Sequence, residues 1–380
     1  MVKTLVICLI MLLAWSAISP ADLLFGNVSD NEADAIRFAV IGDFGSGNED
    51  EQAVANLVDS WDVDFVITTG DNFYLSARRL TDNARNQYDN AVGRYYCPYL
   101  KDVGLPDRGQ INCPPEKQSP TTNRFFPTIG NHDRRDTASP GVTDYLNYFT
   151  LPGTGFENSS ANERYYDFVQ GPAHFFALDS DTARRDKQDL AAQKSWLQAA
   201  LQKSTARWKI VYFHHAAYSS SKHGPDQVMQ WPFQEWGADV VFQGHDHVYE
   251  RIMGDDLVYF VSGNGGRRLY EFESPVEGSV SRFDRGFGAV LVTADASTIA
   301  FEAWAVQAMQ RRRADSPPIL VDCYQLPAVQ VHCDRAEEFS GAEIAPRLQE
   351  LDNTLLLPVL LVVIAGLLVL FVGTNYLKKR

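Results

Sequence analysis

Positive charge is what this chain is short of. Its 34 lysines and arginines face 48 aspartates and glutamates, which leaves a formal net charge of −14. A protein that holds nucleic acid needs a basic face against the phosphates, so no nucleic acid is expected as a partner. Phosphorylated substrates are not excluded, because bound metal ions can supply the local positive charge that the side chains lack. Repeats of fixed period are also missing. Cysteine is scarce, at five in 380 residues. Cys8 lies in an N-terminal apolar stretch, and the other four stand as neighbours, Cys97 with Cys113 and Cys323 with Cys333. An even count in an exported chain predicts two local disulfides, with other pairings open.

The ends carry the apolar runs. Residues 1–21 have Lys3, an apolar stretch from Leu5 to Trp15, and small residues at Ser19 and Ala21. That layout predicts a signal peptide cleaved after Ala21. Leu355 to Gly373 is uncharged throughout, and at about 1.5 Å per helical residue it is long enough to span a hydrocarbon core. Lys378, Lys379 and Arg380 follow, and positive charge on that side predicts a cytoplasmic tail at 374–380. Ser340-Gly341-Ala342, a polar spacer and the apolar tail also form the layout of a GPI signal, which is the alternative anchor. The expected organisation is a signal peptide (1–21), a catalytic domain (22–305), a stalk (306–354) and a transmembrane helix (355–373). The catalytic domain would sit at the cell surface or in an acidic lumenal compartment. Asn27 and Asn158 open glycosylation sequons.

Between the ends, five short clusters each follow an apolar, strand-like run. RFAVI precedes Gly42-Asp43, and DFVITT precedes Gly70-Asp71-Asn72-Phe73-Tyr74. RFFPTI precedes Gly130-Asn131-His132-Asp133, WKIVYF precedes His214-His215, and ADVVFQ precedes Gly244-His245-Asp246-His247. In open α/β sheets, ligands bind outside the carboxyl ends of the strands. The segments would therefore deliver Asp43, Asp71, Tyr74, Asn131, His214, His245 and His247 to one edge, enough donors for two metal ions. Parallel strands come first and hairpins later, which predicts an α/β two-sheet sandwich flanked by helices.

Two-metal hydrolases keep their ions about 3.5–4 Å apart, which needs a bridging ligand. Asp71 is the candidate bridge, central in chain order and three residues before Tyr74. A free phenol has a pKa near 10, so ligation by Tyr74 at neutral pH needs a strongly acidic ion, and ferric iron fits. Neutral Asn131, where a third carboxylate could stand, keeps the site net positive and suited to a phosphate anion. His245 and His247 would address different metals if the segment is extended. His132 could reach a substrate oxygen, Asp133 could orient His132 from behind, and His215 has a similar supporting place. His223 lies in a polar loop that could overhang the site.

The set GDFG, GDNFY, GNHD, VYFH and GHDH resembles the purple acid phosphatases, and most of all their small, tartrate-resistant type. The KHGP loop, QKSWLQAAL and VSGNGG extend the resemblance across about residues 36–305. It implies the four-layer α/β/β/α sandwich of two mixed sheets that metallophosphoesterases share. It implies ferric iron on Asp43, Asp71, Tyr74 and His247, and divalent iron, zinc or manganese on Asp71, Asn131, His214 and His245. His132 and His223 would bind phosphate and protonate the leaving group, and a metal-bound hydroxide would attack phosphorus. Small phosphate monoesters or phosphoproteins would be the substrates. Two other functions compete with this one: a phosphodiesterase or nucleotide pyrophosphatase of the same superfamily, and a non-catalytic, membrane-tethered binding module. Phe44 stands where many relatives have Trp, and a membrane anchor is unusual for the small type.

Overall fold

Strand β6, Trp208–His215, shows how the sequence builds the layers. Side chains alternate across a strand. Ile210 and Tyr212 enter the core between the sheets, while Val211 and Phe213 enter a second core beneath the outer helices. The same parity splits Val240 and Phe242 from Val241 in β7, Val240–Gly244, and Phe175 from Phe176 in β5, Ala173–Ala177. These strands are apolar throughout because both of their faces are covered.

The computed structural model describes residues 35–74, 88–101, 113, 117, 120–134, 142–149, 151–152, 158–254, 256–307 and 317–327. The first sheet runs β13-β12-β11-β1-β2-β3, and the second β10-β8-β9-β7-β6-β5-β4. In the first, β1 (Ile36–Ile41), β2 (Phe65–Thr68) and β3 (Phe125–Pro127) are parallel, and β11 (Gly286–Ala294) with β12 (Ile299–Gln307) is antiparallel. In the second, β5, β6, β7 and β9 (Val258–Ser262) are parallel, edged by antiparallel β4 (Tyr166–Gln170), β8 (Tyr249–Met253) and β10 (Ser279–Phe283). Aromatic rings fill the space between the sheets. Phe38 of β1 meets Phe175 of β5 edge-on at 5.1 Å, and Phe126 stacks on Phe168 at 4.0 Å.

Helix Glu49–Asp59 covers the first sheet through Val54, Leu57 and Val58. Helices Ser180–Arg185, Lys187–Lys203 and Phe233–Trp236 cover the second. The result is the expected four-layer α/β/β/α sandwich of two mixed sheets. The expected disulfide joins Cys97 to Cys113. Cys323 is disulfide-bonded, while Cys333 lies outside the described residues, as do residues 1–21, Asn27 and 355–380. No helix among the described residues is long and apolar enough to cross a membrane.

One segment expected in the stalk belongs to the first sheet. Ile319–Leu326 forms β13 and pairs along β12. Asp322 of β13 accepts hydrogen bonds from Tyr249 (2.7 Å) and from Arg251 Nε and Nη2 (2.7 and 3.0 Å), tying the edge of the first sheet to β8 of the second. Asp322 interrupts the apolar run and every position of this strand is only half-buried, which hid it from a reading based on apolar runs.

The helix Glu49–Asp59 starts on Asn48, whose side chain accepts from Glu51 N–H at 3.0 Å. Glu51 itself is fully buried, and Oε2 accepts from Gly47 N–H at 2.6 Å in the loop that follows Asp43. Burial, only partly offset by the Gly47 and Ser46 N–H groups, holds its carboxyl well above the ordinary 4.5. The folded state keeps a proton that the unfolded chain releases above that value, so this residue costs more stability as pH rises. The variant Glu51→Gln imitates the protonated form. Its stability relative to the parent should therefore grow between pH 4.5 and 8, by up to about 1.4 kcal/mol per unit below the folded pKa. Thermal melts at several pH values would read this out, and a pH-independent difference would refute it.

Candidate metal centre

Three non-glycine residues of the clusters sit in the left-handed backbone region. Asp43 has φ 53°, Asp71 φ 51° and His245 φ 72°. Non-glycine residues rarely adopt this conformation, and where it persists at a strand end it re-aims a side chain. Here it turns the two carboxylates and the imidazole inward at the carboxyl ends of β1, β2 and β7. The glycines around them make room. A Cβ on Gly130 would lie 2.1 Å from Asp71 Oδ1, and one on Gly244 would lie 2.7 Å from Asp43 Oδ2.

The expected donors meet. Tyr74 donates its hydroxyl to Asp43 Oδ1 at 3.2 Å and lies 3.3 Å from His247 Nε2, which is itself 3.4 Å from Asp43 Oδ1. His214 Nε2 lies 3.0 Å from Asn131 Oδ1, 3.1 Å from His245 Nδ1 and 3.4 Å from Asp71 Oδ1. One atom each from Asp43, Asp71 and His214 fall within 4.8 Å of one another, which links the two groups through the aspartates.

The tautomers give these contacts their meaning. His214 Nδ1 donates to the Thr69 carbonyl at 2.9 Å, and His247 Nδ1 donates to the Arg268 carbonyl at 2.7 Å. In a neutral imidazole the other nitrogen is then a lone pair. The His214 lone pair faces the oxygens of Asn131 and Asp71, and that of His247 faces an oxygen of Asp43. Acceptors that face acceptors in a buried site repel one another unless a cation lies between them. Burial first, and the charge of Asp43 next, push the Asp71 carboxyl up to about 7. Burial and the two carboxylates hold the Tyr74 phenol well above 10. The donor set thus fits a pair of metal ions, with hard oxygens and imidazoles on both sides and a phenol that only a strongly acidic ion would ionise.

The paired histidines take different partners, although their rings lie only 4.9 Å apart and β6 shifts register between Tyr212 and His215. His214 turns to Thr69, Asn131 and Asp71. His215 is held from the helix Ser180–Arg185, where its backbone N–H and its Nδ1 each meet Ser180 Oγ at 3.0 Å. Its ring lies 4.6 Å from that of His245, so it packs against a candidate metal donor. His245 and His247 do point to different groups, but not because the segment is extended. The chain bends there, and the φ of His245 sends its ring towards His214 while His247 turns to Tyr74.

Asp133 differs from its expected place. It does not orient His132. Its Oδ2 accepts from Gly130 N–H (2.8 Å), Asn72 N–H (3.2 Å) and Asn72 Nδ2 (2.9 Å), and its Oδ1 from Tyr88 (3.1 Å). The loop of three residues from Gly130 turns back on itself, so the carboxylate points under the loop while the His132 ring lies over Tyr74 at 4.5 Å. Asn72 also donates to the Thr128 carbonyl at 2.8 Å. Asn72 and Asp133 together lock the loop that carries Asp71 to the loop that carries Asn131. His223 reaches the site, its ring 4.1 Å from His245, and its backbone N–H is held by Asp246 Oδ1 at 2.8 Å. Asp246 and Glu250, which accepts from Ser220 N–H at 2.8 Å, fasten the His223 loop. Neither role was legible, because an acidic residue between two histidines or inside a strand has no distinctive spacing. Asn158 accepts with its amide oxygen from Ser160 and Ala161 N–H, and its Nδ2, the atom a glycan would take, is buried.

A family model described as Calcineurin-like phosphoesterase matches residues 36–249. Purple acid phosphatase 4 of Arabidopsis thaliana is 25% identical over 325 residues, covering 79% of this chain and 89% of that protein. Tartrate-resistant acid phosphatase type 5 of Homo sapiens is 24% identical over 273 residues, covering 64% and 77%. Among solved structures, the purple acid phosphatase PPD1 of yellow lupin (Lupinus luteus) seeds matches with a TM-score of 0.53 at 19% identity, over 77% of this chain and 53% of that one. GAP50, described as the anchor in the inner membrane complex of Plasmodium, matches at 0.51 and 15% identity, over 76% and 89%. At these identities the two solved structures speak for the fold alone.

Proposed function

The chain belongs to the calcineurin-like phosphoesterase family, and we propose that it is an acid phosphatase of the purple acid phosphatase kind, hydrolysing phosphate monoesters with two metal ions. The observation that carries this is the set of imidazole lone pairs and oxygens turned on one another at the ends of β1, β2, β3, β6 and β7. Asp43, Asp71, Tyr74 and His247 would hold ferric iron, and Asp71, Asn131, His214 and His245 a divalent iron, zinc or manganese. When bound, such ions neutralise phosphoryl oxygens and acidify a water enough to make it a nucleophile.

The chain's own residues do the rest. Thr69 and Arg268 carbonyls fix the tautomers of His214 and His247 so that both present lone pairs to the site. His132 and His223, both exposed at the mouth, can donate hydrogen bonds to the phosphoryl group. As the ester P–O bond breaks, a proton from His223 passes to the departing oxygen. Burial lowers the pKa of both rings below the ordinary 6.5, so the protonated acid form is populated on the acidic side and lost as pH rises.

The test compares p-nitrophenyl phosphate with bis(p-nitrophenyl) phosphate on the purified protein. The monoester should be turned over at least about tenfold faster, with a rate that falls between pH 6 and 8. Preference for the diester would favour a phosphodiesterase, and protein that binds no metal would favour a binding module. We further propose export through residues 1–21 and tethering through 355–373, with a GPI anchor as the alternative.

A further inference from the structure

In an acidic chain, two cations stand at the mouth of the site. Arg267 lies with its guanidinium carbon 4.5 Å from the ring centroid of Tyr74, and Lys222 with Nζ 4.5 Å from that of Tyr270. Both are exposed, and neither is in an ion pair among the described residues. Tyr270 in turn stacks on His247 at 4.0 Å, with the planes only 12° apart. The backbone is fastened as well. Arg267 N–H donates to the Asp43 carbonyl at 2.9 Å, and Tyr270 N–H to the His247 carbonyl at 3.2 Å. The aromatic rings therefore do two things. They hold two long, otherwise free side chains beside the metal ligands, and they leave the charged ends facing solvent at the entrance.

A long cation in water loses side-chain entropy when a ligand fixes it, and a ring beneath it removes part of that cost in advance. Lys222 precedes His223, the group placed to protonate the leaving oxygen. Arg267 lies over the ring of Tyr74, which the His132 ring also meets at 4.5 Å. The pair thus flanks the side from which the leaving group departs. Positive charge concentrated there attracts anions against the field of a chain with net charge −14.

From this arrangement we propose that Lys222 and Arg267 form a clamp that selects phosphate esters whose leaving group carries a second anionic group. The proposal rests on the phosphatase reading and names its substrate class. Ring stacking of the substrate on Tyr270 is not part of it, since that ring already stacks on His247 and carries Lys222.

The test uses the metal-loaded full chain and two esters with the same ring, phenyl phosphate and 4-carboxyphenyl phosphate, which differ by one carboxylate. For the parent protein at low salt, kcat/KM should favour the carboxylate ester about tenfold, and the preference should shrink at high ionic strength. Lys222→Met and Arg267→Met should each lower the ratio of the two kcat/KM values about threefold, and the double variant should abolish the preference. Arg267→Lys should retain most of it. Because the readout is a ratio, a general loss of active protein does not imitate the effect. A ratio unchanged within about twofold in the double variant, with phenyl phosphate still turned over, would overturn the clamp and leave the phosphatase reading standing. Failure of the parent to hydrolyse phenyl phosphate would overturn both.

Discussion

Replacing His214 with alanine should cut kcat on p-nitrophenyl phosphate by about three orders of magnitude, as expected when several kcal/mol of metal-supplied charge stabilisation is lost. The side chain is fully buried, and its Nε2 is within 3.4 Å of Asn131, His245 and Asp71 at once. Alanine would remove one donor and leave the Thr69 carbonyl without its partner. Metal content should fall by about one ion per chain, which elemental analysis would measure beside the kinetics. The control is the neighbour. His215→Ala removes a ring whose Nδ1 is already taken by Ser180 Oγ, so it should cost no more than about tenfold in rate and leave the metal content intact. Equal losses in the two variants would contradict this division of roles between the two histidines.

The second large effect is expected at Tyr74. Phenylalanine keeps the ring that His132 and Arg267 contact and removes only the hydroxyl oxygen. In the buried site that oxygen resists ionisation, chiefly through desolvation and then through Asp71 and Asp43. A trivalent ion could reverse this, giving a phenolate with a visible charge-transfer band. Tyr74→Phe should abolish the band, and activity should fall about 10- to 100-fold as the ion is held less tightly. A parent protein without visible colour after loading with ferric iron would argue that the site takes two divalent ions. A band that survives in the variant would remove Tyr74 from the ligand set.

Much of the centre was legible because each donor follows a strand, and strands announce themselves as apolar runs. The five loops could be read off, and with them the donors that now lie together. What escaped was whatever depends on a bend or on side-chain direction. A Gly-His-Asp-His run looks extended on paper, yet the φ of His245 makes it a corner. Asp133 follows His132 in sequence but answers to Asn72 and Gly130 in space. Strands β8 and β10 carry Glu250, Arg251 and Arg282, whose charges mask their period. Glu51 looked like an ordinary acidic residue in the first turn of a helix, and only the fold shows its carboxyl under the Asp43 loop. The cations at the mouth come from two loops with no shared motif.

The brace between the two sheets bears on how the protein can be cut down for the laboratory. Ending the polypeptide at residue 305 would strip β12 of its neighbour and leave Arg251 without Asp322. A long bare margin of backbone N–H and C=O groups recruits other copies of itself. A version that keeps β13 and continues past Cys333, the cysteine expected to pair with Cys323, should stay dispersed where the shorter one clumps.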